Sequence, residues 1–166
     1  MKKNRILTKE EQETNMETKD HISNVCKFLK TFSTALMDRG LIHDYTKLED
    51  PELPLFTELT KKLSACTYGS DEYKKFLEEL KPALNHHYAK NRHHPEHYPN
   101  GIDDMTLVDL IEMFCDWKAA TMRHDDGNLL KSIEINSKRF NINSQLTKIF
   151  ENTAELFDHK KYKNKS

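Results

Sequence analysis

Residues 106–123 constrain this chain more than any other stretch. Leu107, Val108, Leu110, Ile111, Met113, Phe114, Cys115, Trp117, Ala119, Ala120 and Met122 leave it almost no polar face. A helix that is apolar nearly all round is expected to be central and buried. Thr106 with Asp109 caps its start. Asp109, Glu112, Asp116 and Arg123 recur at spacings of three, four and seven, so they share one narrow stripe. A buried carboxylate must be paired, protonated or bound to a metal, because an isolated charge there is costly. For Asp116 the plain alternative is an ion pair with Lys118 or Arg123, although Lys118 projects well away from it on the helical wheel.

The remaining sequence reads as further helices. Thr8 and Glu11 form a capping box, and Ile22, Val25, Cys26, Leu29, Phe32 and Leu36 recur at helical spacing until Arg39-Gly40, where a stop is expected. Asp50-Pro51 restarts a helix to about residue 63, and residues 66–70 read as a loop. Ser70 caps a helix that carries Tyr73, Phe76, Leu77, Leu80 and Leu84 on one face, contains Pro82 and ends near Asn91. Residues 93–104, with Pro95, Pro99 and Gly101, are expected to be irregular. Asp125-Asp126-Gly127 closes the central helix, helices follow over residues 128–140 and 144–158, and residues 160–165 form a basic tail. With 4 glycines and 5 prolines in 166 residues, the expectation is an all-α helical bundle. A single domain is expected, with a core over 17–158 and frayed ends at 1–16 and 159–166.

Charge and cysteines narrow the setting. Lys plus Arg total 26 against 27 for Asp plus Glu, a net charge of -1, which offers no large field for gripping duplex nucleic acid. Cys26, Cys66 and Cys115 are widely spaced and form no CxxC pair, so reduced thiols in a cytoplasm are expected. No apolar run approaches a membrane span and the N-terminus lacks a signal-peptide stretch, so a cytoplasmic protein without a membrane partner is anticipated.

Five of the nine histidines, His86, His87, His93, His94 and His97, crowd into one short stretch, and His43-Asp44 stands upstream with Lys47 three residues further on. Neutral imidazole is the commonest metal ligand, and mixed with carboxylate it suits a divalent ion that activates water. His21 lies on the first long helix. For His97, His124 and His159 an ordinary hydrogen-bonded or surface role is the expectation.

His21, His43, Asp44 and Asp116, in that order on different helices, resemble the pattern of the HD-domain superfamily of metal-dependent phosphohydrolases. The run from His93 to Ile102 also resembles the HD-GYP branch, and Glu17 echoes an acidic ligand seen there. This chain lacks the complete Gly-Tyr-Pro signature, and its histidine groups are compressed, so cyclic-dinucleotide specificity does not carry over. The whole chain, and residues 83–150 above all, is more similar to an uncharacterised family of small HD-like proteins from bacteria and their phages. The resemblance implies an HD-type bundle with a metal centre of His21, His43, Asp44 and Asp116. It implies a second ion held by His87 with His93 or His94.

On this reading the cofactor is one or two divalent ions, Mn, Fe, Co, Ni, Zn or Mg. Asp44 binds metal and orients the attacking water, while Lys47, with Arg92, Arg123 or Arg139, offsets phosphate charge. The expected substrate is a nucleotide or related small phosphoester, and a homodimer is compatible with the sequence. Glu134, Asn136 and Arg139 either line a base or sugar pocket or belong to an ordinary amphipathic surface. Two alternatives use the same residues: an HD-type di-iron oxygenase, and a non-enzymatic nucleotide-binding or sequestering module.

Overall fold

The reciprocal bonds that start the first helix are in place. The Thr8 backbone N–H donates to Glu11 Oε2 at 2.9 Å and the Glu11 N–H donates to Thr8 Oγ1 at 3.2 Å. Helix α1 then runs Lys9–Ile42 in a computed structural model that describes residues 5–66, 70–123 and 127–157. It passes through Gly40, where the sequence suggested a stop. Glycine permits the left-handed conformation without compelling it, and here the break comes later, at Asp44, with φ 56°.

The chain divides into two compact units, Met1–Leu41 and Ile42–Ser166. The first is essentially α1, which buries none of its residues and shows Ile22, Val25, Leu29 and Phe32 at the surface.

In the second unit a 3-10 turn at Tyr45–Leu48 leads to α2, Glu52–Ala65, and α3, Asp71–Lys90. The Ser70 hydroxyl caps α3 by accepting from the Tyr73 N–H, and the helix continues through Pro82. Leu59, Leu80 and Ala83 are the buried centre between α2 and α3, with Phe56 and Phe76 packed against it. Short turns at Pro95–His97 and Gly101–Asp104 interrupt the connection to α4, Leu107–Thr121. Gly101 sits at φ 61°, which a side chain would strain. Helices α5, Leu129–Arg139, and α6, Ser144–Thr153, begin on the side-chain caps Asn128 and Asn143, and a final 3-10 turn spans Ala154–Phe157.

Met113, Phe114, Trp117, Ile133, Ile142 and Phe150 form the second apolar core. Phe114 and Phe150 stack at 5.3 Å between centroids, and Trp117 meets Phe150 edge-on at 5.5 Å. Complete burial of Ile133 and Met113 stabilises the unit by about 1.5–3 kcal/mol each.

The described residues form helices and turns with no strand, as an all-α chain should. Among them no helix is long and apolar enough to cross a membrane. Helix α4 corrects one expectation. It buries Asp109, Glu112, Met113, Phe114 and Trp117, yet Leu107 and Ile111 are 62% and 41% exposed. Its inward positions face the core and the acidic cluster, while Leu107 and Ile111 stay at the surface. The expected loop at 66–70, the closing Asp125-Asp126, the end of the last helix at 158 and the basic tail fall wholly or partly outside the described residues, as do His124 and His159.

Candidate metal centre

Four segments of the second unit deliver ionisable side chains to one place. His43 and Asp44 come from the turn after α1, and Asp44 in its left-handed conformation caps the Tyr45–Leu48 turn. An acidic residue of short side chain tolerates that conformation better than most. His87 comes from the last turn of α3, while Glu112 and Asp116 lie on α4, one helical turn apart.

His93 and His94 belong to the connection before α4, which is tied down on both flanks. Its start is held by the Asn91 N–H donating to the His87 carbonyl at 2.9 Å and the His94 N–H to the Asn91 carbonyl at 3.3 Å. Its middle is held by Asp109, fully buried, which accepts from Arg92 Nε and Nη2 at 3.1 Å each and from the Tyr98 hydroxyl at 2.8 Å. The same carboxylate completes the α4 capping box with Thr106, so one residue both starts the helix and anchors the histidine loop. His97 donates Nδ1–H to the Tyr88 carbonyl at 2.9 Å, an ordinary structural bond.

Two groups of ligand atoms result, Asp44 with His87, His93 and His94, and His43 with His93 and Asp116. Asp44 Oδ1 lies 3.2 Å from His87 Nε2 and 3.5 Å from His93 Nε2. His43 Nε2 lies 3.6 Å from Asp44 Oδ2 and 3.5 Å from Asp116 Oδ1. Asp44 therefore turns one oxygen toward each group. His87 Nε2 and His94 Nε2 are 2.9 Å apart.

The outer ring nitrogens face carboxylates. His87 Nδ1 is 2.8 Å from Glu52 Oε2, and His43 Nδ1 is 2.9 Å from Glu112 Oε1. An ionised carboxylate cannot donate, so these Nδ1 atoms carry protons, and each ring, once neutral, turns the lone pair of Nε2 inward.

The fit to a cation rests on what those inward atoms lack. Asp44 Oδ1 and His93 Nε2 are buried and have no hydrogen-bond partner, although buried polar atoms are normally satisfied. Converging carboxylate oxygens and imidazole nitrogens of this kind are what a divalent cation binds, in exchange for the protons the rings carry in its absence. Charge points the same way: Asp44, Asp116, Glu52 and Glu112 supply four carboxylates around the imidazoles, set against the ammonium of Lys47, 2.6 Å from Asp44 Oδ2.

Titration is strongly displaced. Bonding to Asp116 and Glu112 raises His43 to about 9. Burial, reinforced by the neighbouring His93 and His87, pushes His94 down to about 3, which leaves it neutral and able to ligate. Burial opposes ionisation of Asp44, yet the close approach of His87 and the bond from Lys47 prevail and hold it well below the usual carboxylate range. Asp116, half-buried, is held low by His43 although desolvation opposes it.

Of the residues expected from sequence, His43, Asp44, His87, His93, His94 and Asp116 are gathered here, and Asp116 pairs with His43 rather than Lys118 or Arg123. His21 is exposed on α1 in the first unit and belongs to neither group, and Glu17 is exposed on the same helix. Arg92 is engaged by Asp109, Arg139 by Glu96 at 2.8 Å, and Arg123 lies exposed beyond α4. Glu134 pairs with Lys138 at 2.6 Å, and Asn136 donates to the Ser132 carbonyl at 3.0 Å, the pattern of an ordinary helix surface.

Sequence reasoning missed Glu52, which is fully buried although it opens α2, where an acidic residue ordinarily serves the helix dipole. It placed Glu112 on the same stripe as Asp116 but gave it no part in the metal centre. Asn91 was read only as a helix end, yet its Nδ2 donates to Thr46 Oγ1 at 2.9 Å and to the His87 carbonyl at 2.9 Å, joining the Asp44 turn to α3.

No curated protein and no solved structure matches the chain. Residues 10–159, nearly all of its length, match the family described as "Family of unknown function (DUF5662)", and the chain belongs to that family.

Proposed function

We propose that the chain is a metal-dependent phosphohydrolase acting on a nucleotide or a related small phosphoester. The observation that carries this reading is the convergence of His43, Asp44, His87, His93, His94 and Asp116, with Asp44 Oδ1 and His93 Nε2 buried and without hydrogen-bond partners. The order His43-Asp44 then Asp116, resembling the HD-type pattern, supports it. When bound, one or two divalent cations supply Lewis acidity, polarising a phosphoryl oxygen and bringing the pKa of water toward neutrality.

The chain's own residues do the rest. His43, His87, His93 and His94 offer Nε2, and Asp44 offers an oxygen to each half of the site. Lys47 is held beside Asp44 and over the Phe56 ring at 5.8 Å, and on this reading its charge offsets the negative charge a phosphoryl group gains. Arg92 and Arg139 pair with Asp109 and Glu96, outside the ligand groups, whereas Lys47 pairs with Asp44 within them, so Lys47 is the cation assigned to this task.

A donor set rich in imidazole with two carboxylates also suits iron, and an oxygen-activating enzyme is the second reading. The test is metal analysis with a metal-supplemented screen of nucleotides and phosphoesters, using wild type and Asp44→Ala and Asp44→Asn in parallel. Asparagine accepts the left-handed backbone of position 44, which separates loss of ligation from loss of folding. Turnover without oxygen, abolished in both variants, is the expected result. A wild type that binds no divalent ion, or an Asp44→Asn protein that keeps both metal and activity, overturns the reading. Activity that requires oxygen favours the iron enzyme.

A further inference from the structure

Two buried glutamates stand behind the inward-facing histidines, and each faces two rings. Glu52 gives one oxygen to each of its partners: Oε1 lies 2.8 Å from His86 Nδ1 and Oε2 lies 2.8 Å from His87 Nδ1. Glu112 brings a single oxygen to both rings: Oε1 bonds His43 Nδ1 at 2.9 Å and lies 3.2 Å from His93 Nδ1, which makes no hydrogen bond. Their exposures are 0% and 9%. They come from different helices, α2 and α4, and serve different ligand groups, since His87 lies only in the group containing His94 and His43 only in the group containing Asp116.

A ligating imidazole whose other nitrogen donates to a carboxylate has its tautomer and ring orientation fixed, and its ligating nitrogen becomes more basic. A buried carboxylate with no task beyond folding is an expensive choice, because its desolvation must be offset by its partners. We infer that Glu52 and Glu112 are positioning residues for two halves of the metal centre, Glu52 orienting His87 and Glu112 orienting His43. Neither glutamate is a ligand in this assignment. Each acts by holding a histidine so that Nε2 points at the cation. The inference rests on the metal-centre reading and adds the division of labour behind it.

The two glutamates respond differently to the same conservative change. Glutamine at position 112 keeps an oxygen where Oε1 stands and can still accept from His43 Nδ1. Glutamine at position 52 has one oxygen where two are used, so either His86 or His87 must meet an amide N–H and reverse its tautomer. If His87 reverses, its Nε2 carries a proton and no longer ligates.

The experiment is a Co2+ titration of the full chain, read by visible d–d absorption and by chelator competition, for wild type, Glu52→Ala, Glu52→Gln, Glu112→Ala and Glu112→Gln. Far-ultraviolet circular dichroism accompanies each variant. Both alanine variants are expected to bind Co2+ about 10–100-fold more weakly, with an altered absorption band. Glu112→Gln should return close to the wild-type affinity and spectrum, and Glu52→Gln only part of the way. The inference is overturned if wild type binds Co2+ and all four variants match it, or if variants with native circular dichroism gain nothing from glutamine over alanine. A wild type that binds no Co2+ overturns the metal-centre reading itself, a different result from the other two.

Discussion

Replacing Asp109 by asparagine removes the charge that ties the histidine loop to α4 while keeping the side chain's size. Asp109 is fully buried and accepts from Arg92 Nε and Nη2 at 3.1 Å, the Tyr98 hydroxyl at 2.8 Å, the Thr106 N–H at 2.9 Å and the Thr106 hydroxyl at 2.6 Å. Breaking a buried ion pair by removing one partner costs about 3–5 kcal/mol. The Arg92 side chain is 48% exposed and regains water when released, which places the loss toward the lower end. Asparagine keeps one acceptor oxygen but presents an amide N–H where further donors converge, and the capping box is weakened. The expected loss is about 3 kcal/mol, which for a chain of this length lowers Tm by about 6–12 °C. Urea unfolding followed by circular dichroism measures it. The pH dependence is specific: although burial opposes it, bonding from Arg92, Thr106 and Tyr98 lowers the Asp109 pKa. A lowered pKa gives stability that is complete above the unfolded value, about 4, and is lost as pH falls toward the folded one. The difference between wild type and Asp109→Asn should be flat above about pH 5 and shrink below about pH 4. A loss under about 1 kcal/mol, or a difference that widens in acid, refutes the reasoning.

Lys47→Met should leave metal content unchanged and lower turnover by about 10²–10³, which steady-state kinetics on the best phosphoester will read. Affinity for a divalent ion should climb with pH up to about 9, because the proton that holds His43 charged must leave before Nε2 ligates. Competition titrations between pH 6.5 and 8.5 check this, and a flat profile excludes His43 as a ligand. Ile133→Ala opens a cavity beneath α4 in the core shared with Phe114, Trp117 and Phe150, and should destabilise the unit by about 2–5 kcal/mol in urea.

Local signals in the sequence located the helices well, because caps and periodicity are written within a few residues of each other. Ser70, Thr106 with Asp109, and Thr8 with Glu11 all cap the helices they announce. The exception was the end of α1, where glycine permits a break that the left-handed Asp44 makes instead. The ligand candidates of the second unit were legible for a chemical reason: histidine next to aspartate, and clustered histidines on a proline-bearing loop, are poor choices for an apolar core. Glu52 was not legible, since burial at the first position of a helix is decided by which helix packs across it, here α3 with His86 and His87. The arginines were misleading in the same way. Arg92 and Arg139 resemble phosphate-binding residues until Asp109 and Glu96, 17 and 43 residues distant in sequence, are seen to take them.

Anomalous X-ray scattering from crystals grown with Mn2+, Co2+ or Zn2+ tests the metal centre most directly, because it locates the ion among named atoms. The expected result is one or two peaks between Asp44 and the Nε2 atoms of His43, His87, His93 and His94, about 2.0–2.2 Å from their ligands. Crystals with no peak there, or with ions bound only at exposed carboxylates or in the tail, would contradict the account.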